Sequence, residues 1–402
     1  MRTKGFLCAL CVLCALCTLF SARPATATAA TAPDAKAPDA KAPAVSARCA
    51  VLLDAQSGRF LYEKNPRDPM LIASTTKTMT ALVVLQNCDL DAVVTVAGAQ
   101  TGVAGSSMRL RPGERLTVRE LLYGLLIQSG NDAAETLAVH CAGSIADFAD
   151  MMNEKARALC LVRSHFENPH GLNANRHYSC ARDMAIIARE AYQIEAFREI
   201  VATEAITVAG RELRSRHRLL WEYSGDIGGK TGYTMKAGRC LVSAARRGGR
   251  LLIAVTLNAP DDWNDQMALF DYGFARYETR TLCREGDSMG YVPVFSGTED
   301  RAPLYAAESL ALPLTEDEWL RVELSIRSPW YVEAPVAKDE LVGYARYLLD
   351  GTLLGQVALL WDAAVDVADV AGTAGTADAA GTADAADAAD ATDVADVADV
   401  AA

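Results

Sequence analysis

Residues 227–257 read IGGKTGYTMKAGRCLVSAARRGGRLLIAVTL. Three short apolar segments, 227–234, 239–246 and 251–257, are separated by Lys236-Ala237-Gly238 and Gly248-Gly249. Such punctuation predicts three consecutive antiparallel strands. A helical pattern follows at 263–277, and far upstream two short strand patterns, 49–53 and 59–62, flank the turn Asp54-Ala55-Gln56-Ser57-Gly58. Between these ends lie further helical patterns: one beginning near Ser74 and running to Leu85, then 118–127, 133–141, 145–159 and 181–192. A strand pair, a block of helices and three strands describe one antiparallel sheet assembled from both ends of the segment, with a helical cluster between them. The class is α+β. Beyond Cys283 the pattern changes to short strands, such as 321–326 and 353–360, with no convincing helix, which sets a domain boundary near 285.

The chain has 402 residues, 51% hydrophobic and 22% charged, so it can bury a sizeable core and is neither wholly disordered nor an integral membrane protein. Its net charge of −12 argues against a nucleic-acid partner. Nine of the aspartates fall between Asp366 and Ala402, where there is no Lys or Arg, so the body is nearly neutral. Arg2 and Lys4, an apolar run over 6–20 and the A-x-A spacings at Ala25/Ala27 and Ala27/Ala29 predict a cleaved export signal at 1–30. The run is shorter than the ~20 residues of a spanning helix. The expected location is therefore the extracellular or periplasmic face of a bacterial envelope. Residues 31–45 contain APDAKAPDAKAP, a spacer, and 367–402 form an acidic low-complexity tail with no side chains for a core. The body divides into 46–284 and 285–366. Of eleven cysteines, Cys8, Cys11, Cys14 and Cys17 lie in the signal; the remaining seven are scattered without a C-x-x-C pair, which predicts free buried thiols or one disulfide, and no metal site.

Three short motifs carry chemistry. In Ser74-Thr75-Thr76-Lys77, at a predicted helix start, a spacing of three sets the lysine amine one turn from the serine hydroxyl on the same face. A lysine deprived of its charge by burial or a cationic neighbour takes the serine proton there. The plainer reading is a capping serine and a solvated lysine. Ser129-Gly130-Asn131, in an interhelical loop, offers a hydroxyl and a carboxamide, or simply a helix cap. Lys230-Thr231-Gly232 lies on the first of the three late strands after Gly228-Gly229. Glycines there suit the close approach of a peptide added along the strand edge, or a bulge.

S-x-x-K, S-x-N and K-T-G in this order are the signature shared by penicillin-binding proteins and class A β-lactamases. With Leu71-Ile72-Ala73, LLYGLLIQSGN at 121–131, FENPHGL at 166–172 and Lys230-Thr231-Gly232-Tyr233-Thr234 followed by Ala237-Gly238, the chain over about 46–280 resembles the low-molecular-weight penicillin-binding proteins that act as D-alanyl-D-alanine carboxypeptidases. The resemblance implies a β-lactamase/transpeptidase-like domain followed by a small β-rich domain. It implies a serine peptidase that removes the terminal D-alanine from peptidoglycan stem pentapeptides and is inhibited by β-lactams, with no metal or organic cofactor. By that resemblance Ser74 is the nucleophile and Lys77 its base. Ser129 and Lys230 pass a proton to the departing D-alanine, and Lys230 with Thr231 and Gly232 holds its carboxylate. Asn131 binds the peptide backbone, and the Ser74 and Tyr233 backbone N–H groups hold the oxyanion.

Two departures bear on this expectation: 258–265 lacks an arginine for the substrate carboxylate, and the chain ends in an Ala/Asp tail where family members often carry an amphipathic helix, which leaves membrane association open. The alternatives are a β-lactamase, for which Glu167 is the only available acid and lies outside an E-x-x-L-N pattern, and a silent penicillin-binding surface protein. His170 is expected to stabilise its Pro-Gly turn, and Trp221, Trp263 and Trp330 to pack in the core or between domains.

Overall fold

A computed structural model of the chain describes residues 41–368. The predicted signal at 1–30, most of the 31–45 spacer and all but two residues of the 367–402 tail lie outside the described residues.

Strands β1 (Cys49–Asp54) and β2 (Phe60–Lys64) pair antiparallel across the predicted turn, where the Asp54 carboxylate accepts hydrogen bonds from the Ser57 amide and hydroxyl. A single 3₁₀ turn (Ala73–Thr76) carries Ser74, and α1 (Lys77–Asn87) starts only after it. The expected helix from Ser74 is thus broken at its first turn: Ala73 lies at φ +46° and the Thr75 amide bonds back to the Ile72 carbonyl, lifting Ser74 out of the helix. A small ribbon, β3 (Val93–Thr95) with β4 (Arg115–Thr117), precedes α2 (Val118–Leu126), α3 (Asn131–Ala142), α4 (Ile145–Ala158), α5 (Ala181–Gln193) and α6 (Glu195–Val201). α2 opens with a Thr117/Glu120 capping box and α4 with the Ser144 hydroxyl, which fixes both starts. A second ribbon, β5 (Ala205–Val208) with β6 (Arg211–Arg214), and the short α7 (Leu219–Glu222) lead into β7 (Asp226–Thr234), β8 (Gly238–Arg247) and β9 (Arg250–Leu257), followed by α8 (Asp262–Arg276).

The strands from both ends join in one antiparallel sheet of order β2-β1-β9-β8-β7, leaving β7 at an edge. Strand side chains alternate between faces. Cys49, Val51, Leu53, Cys240, Val242, Ala244, Ile253, Val255 and Leu257 face the helical cluster, whose core includes Met79, Leu82, Phe148 and Ile187. Ala50, Leu52, Leu241, Ala245, Leu252 and Ala254 face α8 through Phe270 and Leu269. Both faces are covered, which is why these strands read as near-continuous apolar runs; each such large side chain contributes about 1.5–3 kcal/mol on burial.

After α8 the chain is β-rich. β10 (Glu278–Cys283) pairs with β13 (Leu310–Leu314), while β11 (Ser288–Phe295), β12 (Arg301–Ala306), β14 (Val322–Arg327), β15 (Val332–Glu333), β16 (Leu341–Leu349) and β17 (Thr352–Trp361) form a sheet of order β14-β16-β17-β12-β11-β15. Its core holds Val292, Leu304, Tyr347, Leu359 and Trp361. The helix it contains among the described residues is one turn, α9 (Glu316–Trp319). The α+β class and the β-rich second part agree with expectation. Trp221 and Trp330 do not pack as expected: they are exposed, and only Trp263 of the three is buried.

Candidate active site

A cavity of about 670 Å³ opens where the 3₁₀ turn, the α2–α3 loop and the edge strand β7 converge; Ser74, Ser129, Thr231, Gly232 and Tyr233 line it. The three motifs, far apart in sequence, meet in one place.

Lys77 is fully buried at the first position of α1. Its amine lies 3.2 Å from Ser74 Oγ, 2.7 Å from Asn131 Oδ1 and 3.0 Å from the His170 carbonyl oxygen. Desolvation drives its pKa well below the ordinary lysine value, and the nearby Lys230 charge pushes the same way, against a smaller opposing pull from Asp132. A neutral amine has two N–H donors and one lone pair. The shorter contacts, to Asn131 and His170, absorb the donors, and the lone pair is left for the Ser74 hydroxyl.

The supports of this amine were only partly visible in the sequence. Asn131 opens α3 and donates through Nδ2 to the Ala104 carbonyl, so its carboxamide is engaged by the protein at both ends. The sequence reading assigns it to the substrate backbone; in the structure its oxygen also holds Lys77. Next to it, buried Asp132 accepts from the Met108 and Leu110 amides and the Ser107 hydroxyl, fixing the segment that forms the cavity wall at Ser106. His170 does stabilise its turn, its Nδ1 accepting from the Leu172 amide. That leaves Nε2 as the protonated nitrogen, 3.4 Å from Glu135 Oε1, one turn along α3 from Asn131. Burial first, then the Lys77 charge, lowers His170 to about 3, so the ring is neutral.

Gly171 fits beneath the nucleophile turn, where a Cβ would lie 1.8 Å from the Ala73 carbonyl oxygen. Gly232 has the same role on the other side: a Cβ there would meet the Thr75 and Ser74 amides and the Ile72 carbonyl at 3.0–3.1 Å. Ser129 is held at φ +61°, a left-handed conformation that costs a serine about 1–3 kcal/mol and marks a position fixed by its surroundings. Lys230 is buried on β7, donating to the Thr231 carbonyl at 2.8 Å, and burial followed by the charge of Arg216 lowers it to about 7.

Gly228 and Gly229 accommodate the chain's own backbone. Their Cβ positions would collide with the Val201 and Val242 carbonyl oxygens, and the β7–β8 register shifts between Asp226 and Gly229, so they make a bulge that packs the strand on its own chain. Although 258–265 holds no arginine, arginines from other segments line the cavity. Arg216 and Arg218, from the loop before α7, and Arg239, from β8, reach the cavity wall beside Trp263, and Arg239 pairs with Asp262 at 2.8 Å. A cluster of basic residues, Arg214, Arg216 and Arg218, was the available signal in the sequence. Glu167 does not line this cavity; its carboxylate accepts the Arg176 amide. Among the described residues no His/Cys/Asp/Glu group has the geometry of a metal site.

A serine hydroxyl beside a desolvated lysine, set in the seam between a helical cluster and a sheet edge, is the arrangement of a serine acyl-transfer enzyme. The family model for D-alanyl-D-alanine carboxypeptidase matches residues 36–261, and that for the C-terminal domain of penicillin-binding protein 5 matches 277–367. The chain is 33% identical over 327 residues to the D-alanyl-D-alanine carboxypeptidase DacF of Bacillus subtilis, covering 78% of this chain and 84% of that one. It is 34% identical over 341 residues to DacC of Escherichia coli, covering 79% and 84%. Among solved structures, penicillin-binding protein 5 of Haemophilus influenzae superposes with a TM-score of 0.72 at 28% identity, over 81% of this chain and 99% of that one. A point mutant of the Streptomyces K15 DD-transpeptidase covers 58% of this chain and 99% of its own, at 36% identity and a TM-score of 0.56. The chain belongs to the D-alanyl-D-alanine carboxypeptidase family of serine peptidases.

Proposed function

We propose that this enzyme removes the terminal D-alanine from peptidoglycan stem peptides ending in D-Ala-D-Ala, through an acyl-serine intermediate, and that penicillins inhibit it by acylating the same serine. The observation that carries this reading is the Lys77 amine, buried and 3.2 Å from Ser74 Oγ with its two other neighbours both acceptors. Ser74 Oγ attacks the carbonyl between the two D-alanines as Lys77 takes its proton. The backbone N–H groups of Ser74 and Tyr233 receive the oxyanion; a donor of this kind is worth roughly 10²- to 10³-fold in rate. Ser129 and Lys230 return a proton to the departing amine, and Thr231, Lys230 and Arg216 receive the D-alanine carboxylate. Water then attacks the acyl-serine and frees the shortened peptide.

Export to the envelope, through a signal at 1–30, follows from the substrate's location and belongs to the same reading, as does placement of all the chemistry in 46–284. No helix among the described residues is long and apolar enough to cross a membrane. The test uses a pentapeptide ending in D-Ala-D-Ala: free D-alanine is released by the native enzyme and not by Ser74→Ala, which also fails to take up a labelled penicillin. Penicillin uptake without D-alanine release would favour a silent binding protein, and rapid drug hydrolysis a β-lactamase.

A further inference from the structure

Helices α1 and α3 leave the active site side by side. Their N-terminal ends are joined by the Lys77 amine on Asn131, and they run 11 and 12 residues from there, packed on each other in one core. At 1.5 Å per residue, Cys88, the C-cap of α1, and Cys141, in the last turn of α3, arrive at the same level. There the two thiols are within hydrogen-bonding reach of each other, half-buried at the rim of that core.

The other described cysteines are placed differently. Cys49 and Cys240 both flank Leu257, on strands either side of β9. Two strand spacings, roughly 9–10 Å, separate them, beyond the ~7 Å between Cα atoms that a disulfide tolerates. Cys180 caps α5 through its sulfur and Cys283 is buried in the β-rich part, while Cys160 is exposed beside α4.

We propose that Cys88 and Cys141 form a thiol pair that closes to a disulfide by exchange with a disulfide donor, either oxidised glutathione or a thiol–disulfide oxidoreductase. The Cys88 thiolate attacks the donor disulfide, one donor sulfur leaves as a thiol, and the Cys141 thiolate then displaces the other. Two electrons and two protons pass in all from the pair to the donor, which ends as two thiols. The hydrogen bond from Cys141 lowers the Cys88 thiol from its ordinary value, against the effect of burial, and makes it the attacking group. The closed bond ties α1 to α3 at the ends opposite Lys77 and Asn131. It encloses residues 89–140, and with them Ser129-Gly130-Asn131, so it restricts in the unfolded chain the loop that must return to the nucleophile.

The test uses the reduced full chain, incubated with oxidised glutathione, alkylated with iodoacetamide and digested without reductant. The expected product is a Cys88–Cys141 linked peptide, with a Tm of the oxidised protein roughly 5–10 °C above that of the reduced form. Cys88→Ser and Cys141→Ser should each lose both the linked peptide and the shift while still taking up penicillin. Separate alkylation of the two cysteines after oxidation, a stable glutathione adduct on either, or a link to a different cysteine would overturn the proposal. If a serine variant does not fold, the peptide map of the native sequence decides by itself.

Discussion

Lys77 and Lys230 are both buried lysines in one site, yet their surroundings ask different things of them. In the proposed mechanism Lys77 must lose its proton to work, so arginine, which keeps its charge at every working pH, cannot replace it. Lys77→Arg is expected to lower penicillin acylation by roughly 10³-fold or more, whereas Lys230→Arg, which retains a cation for the carboxylate, should stay within about a hundredfold of the native rate. Equal losses in stopped-flow acylation would remove the distinction between base and anchor. The pH profile gives a second check. A base that works unprotonated makes acylation rise with pH through its own pKa. Burial holds Lys77 below the ordinary lysine range, and the positive charge of Lys230 lowers it further. Removing that charge in Lys230→Gln lets the Lys77 value rise, so the acidic limb of the acylation profile should move to higher pH. A limb that stays in place, or moves to lower pH, would show that the limb does not report Lys77.

At the scale of elements, activity depends on how closely β7 can lie against the 3₁₀ turn. The atoms that a Gly232 side chain would meet at 3.0–3.1 Å are all backbone, two of them amides of the nucleophile turn. Gly232→Ala should therefore push the edge strand outward by a few tenths of an ångström, leaving the sheet intact but the carbonyl site misplaced, with acylation down roughly tenfold to a hundredfold and thermal stability nearly unchanged. Full activity in this variant would show that the strand has slack. The same elements explain what was legible beforehand. The glycine breaks and apolar runs of 227–257 located β7, β8 and β9 to within a residue or so, because a sheet covered on both faces writes its strands as continuous apolar segments. Local motifs located Ser74, Lys77 and Lys230. What stayed hidden depends on contacts far apart in sequence. Asn131 binds Lys77 54 residues away, the His170 carbonyl reaches it from 93, and Arg216 enters from a loop whose basic cluster does not say which site it faces. Gly228-Gly229 left two readings open for the same reason, since the Val201 backbone that they accommodate is not a sequence neighbour.

In the whole molecule, the Ser74 cavity lies in the helical and five-stranded part, and the β-rich part touches that part through Arg59 and Arg276. Arg59, just before β2, is a principal link: its guanidinium pairs with Glu318 of α9, with Nη1 to Oε2 at 3.1 Å, donates to the Pro313 carbonyl and lies over the Tyr277 ring. Arg276 adds a 3.2 Å contact from α8 to Asp317. Arg59 and Glu318 retain only 16% and 17% of their side-chain exposure, so the pair is shielded more than a surface salt bridge, and deleting the arginine leaves the Glu318 carboxylate with the Thr315 amide but without its counter-charge, and the Pro313 carbonyl without this donor. That costs about 1–3 kcal/mol. None of these groups lines the Ser74 cavity. Arg59→Ala should therefore leave penicillin acylation within about twofold of native while loosening the hold on α9. A population shift of this size makes proteolysis around α9 roughly 5- to 150-fold faster, provided cleavage follows the open fraction. Glu318→Gln, which keeps the shape and removes the charge, should fall between Arg59→Ala and the native chain. Faster cleavage together with lost acylation would mean that the β-rich part does more than sit beside the site: it would be holding the site in its working geometry.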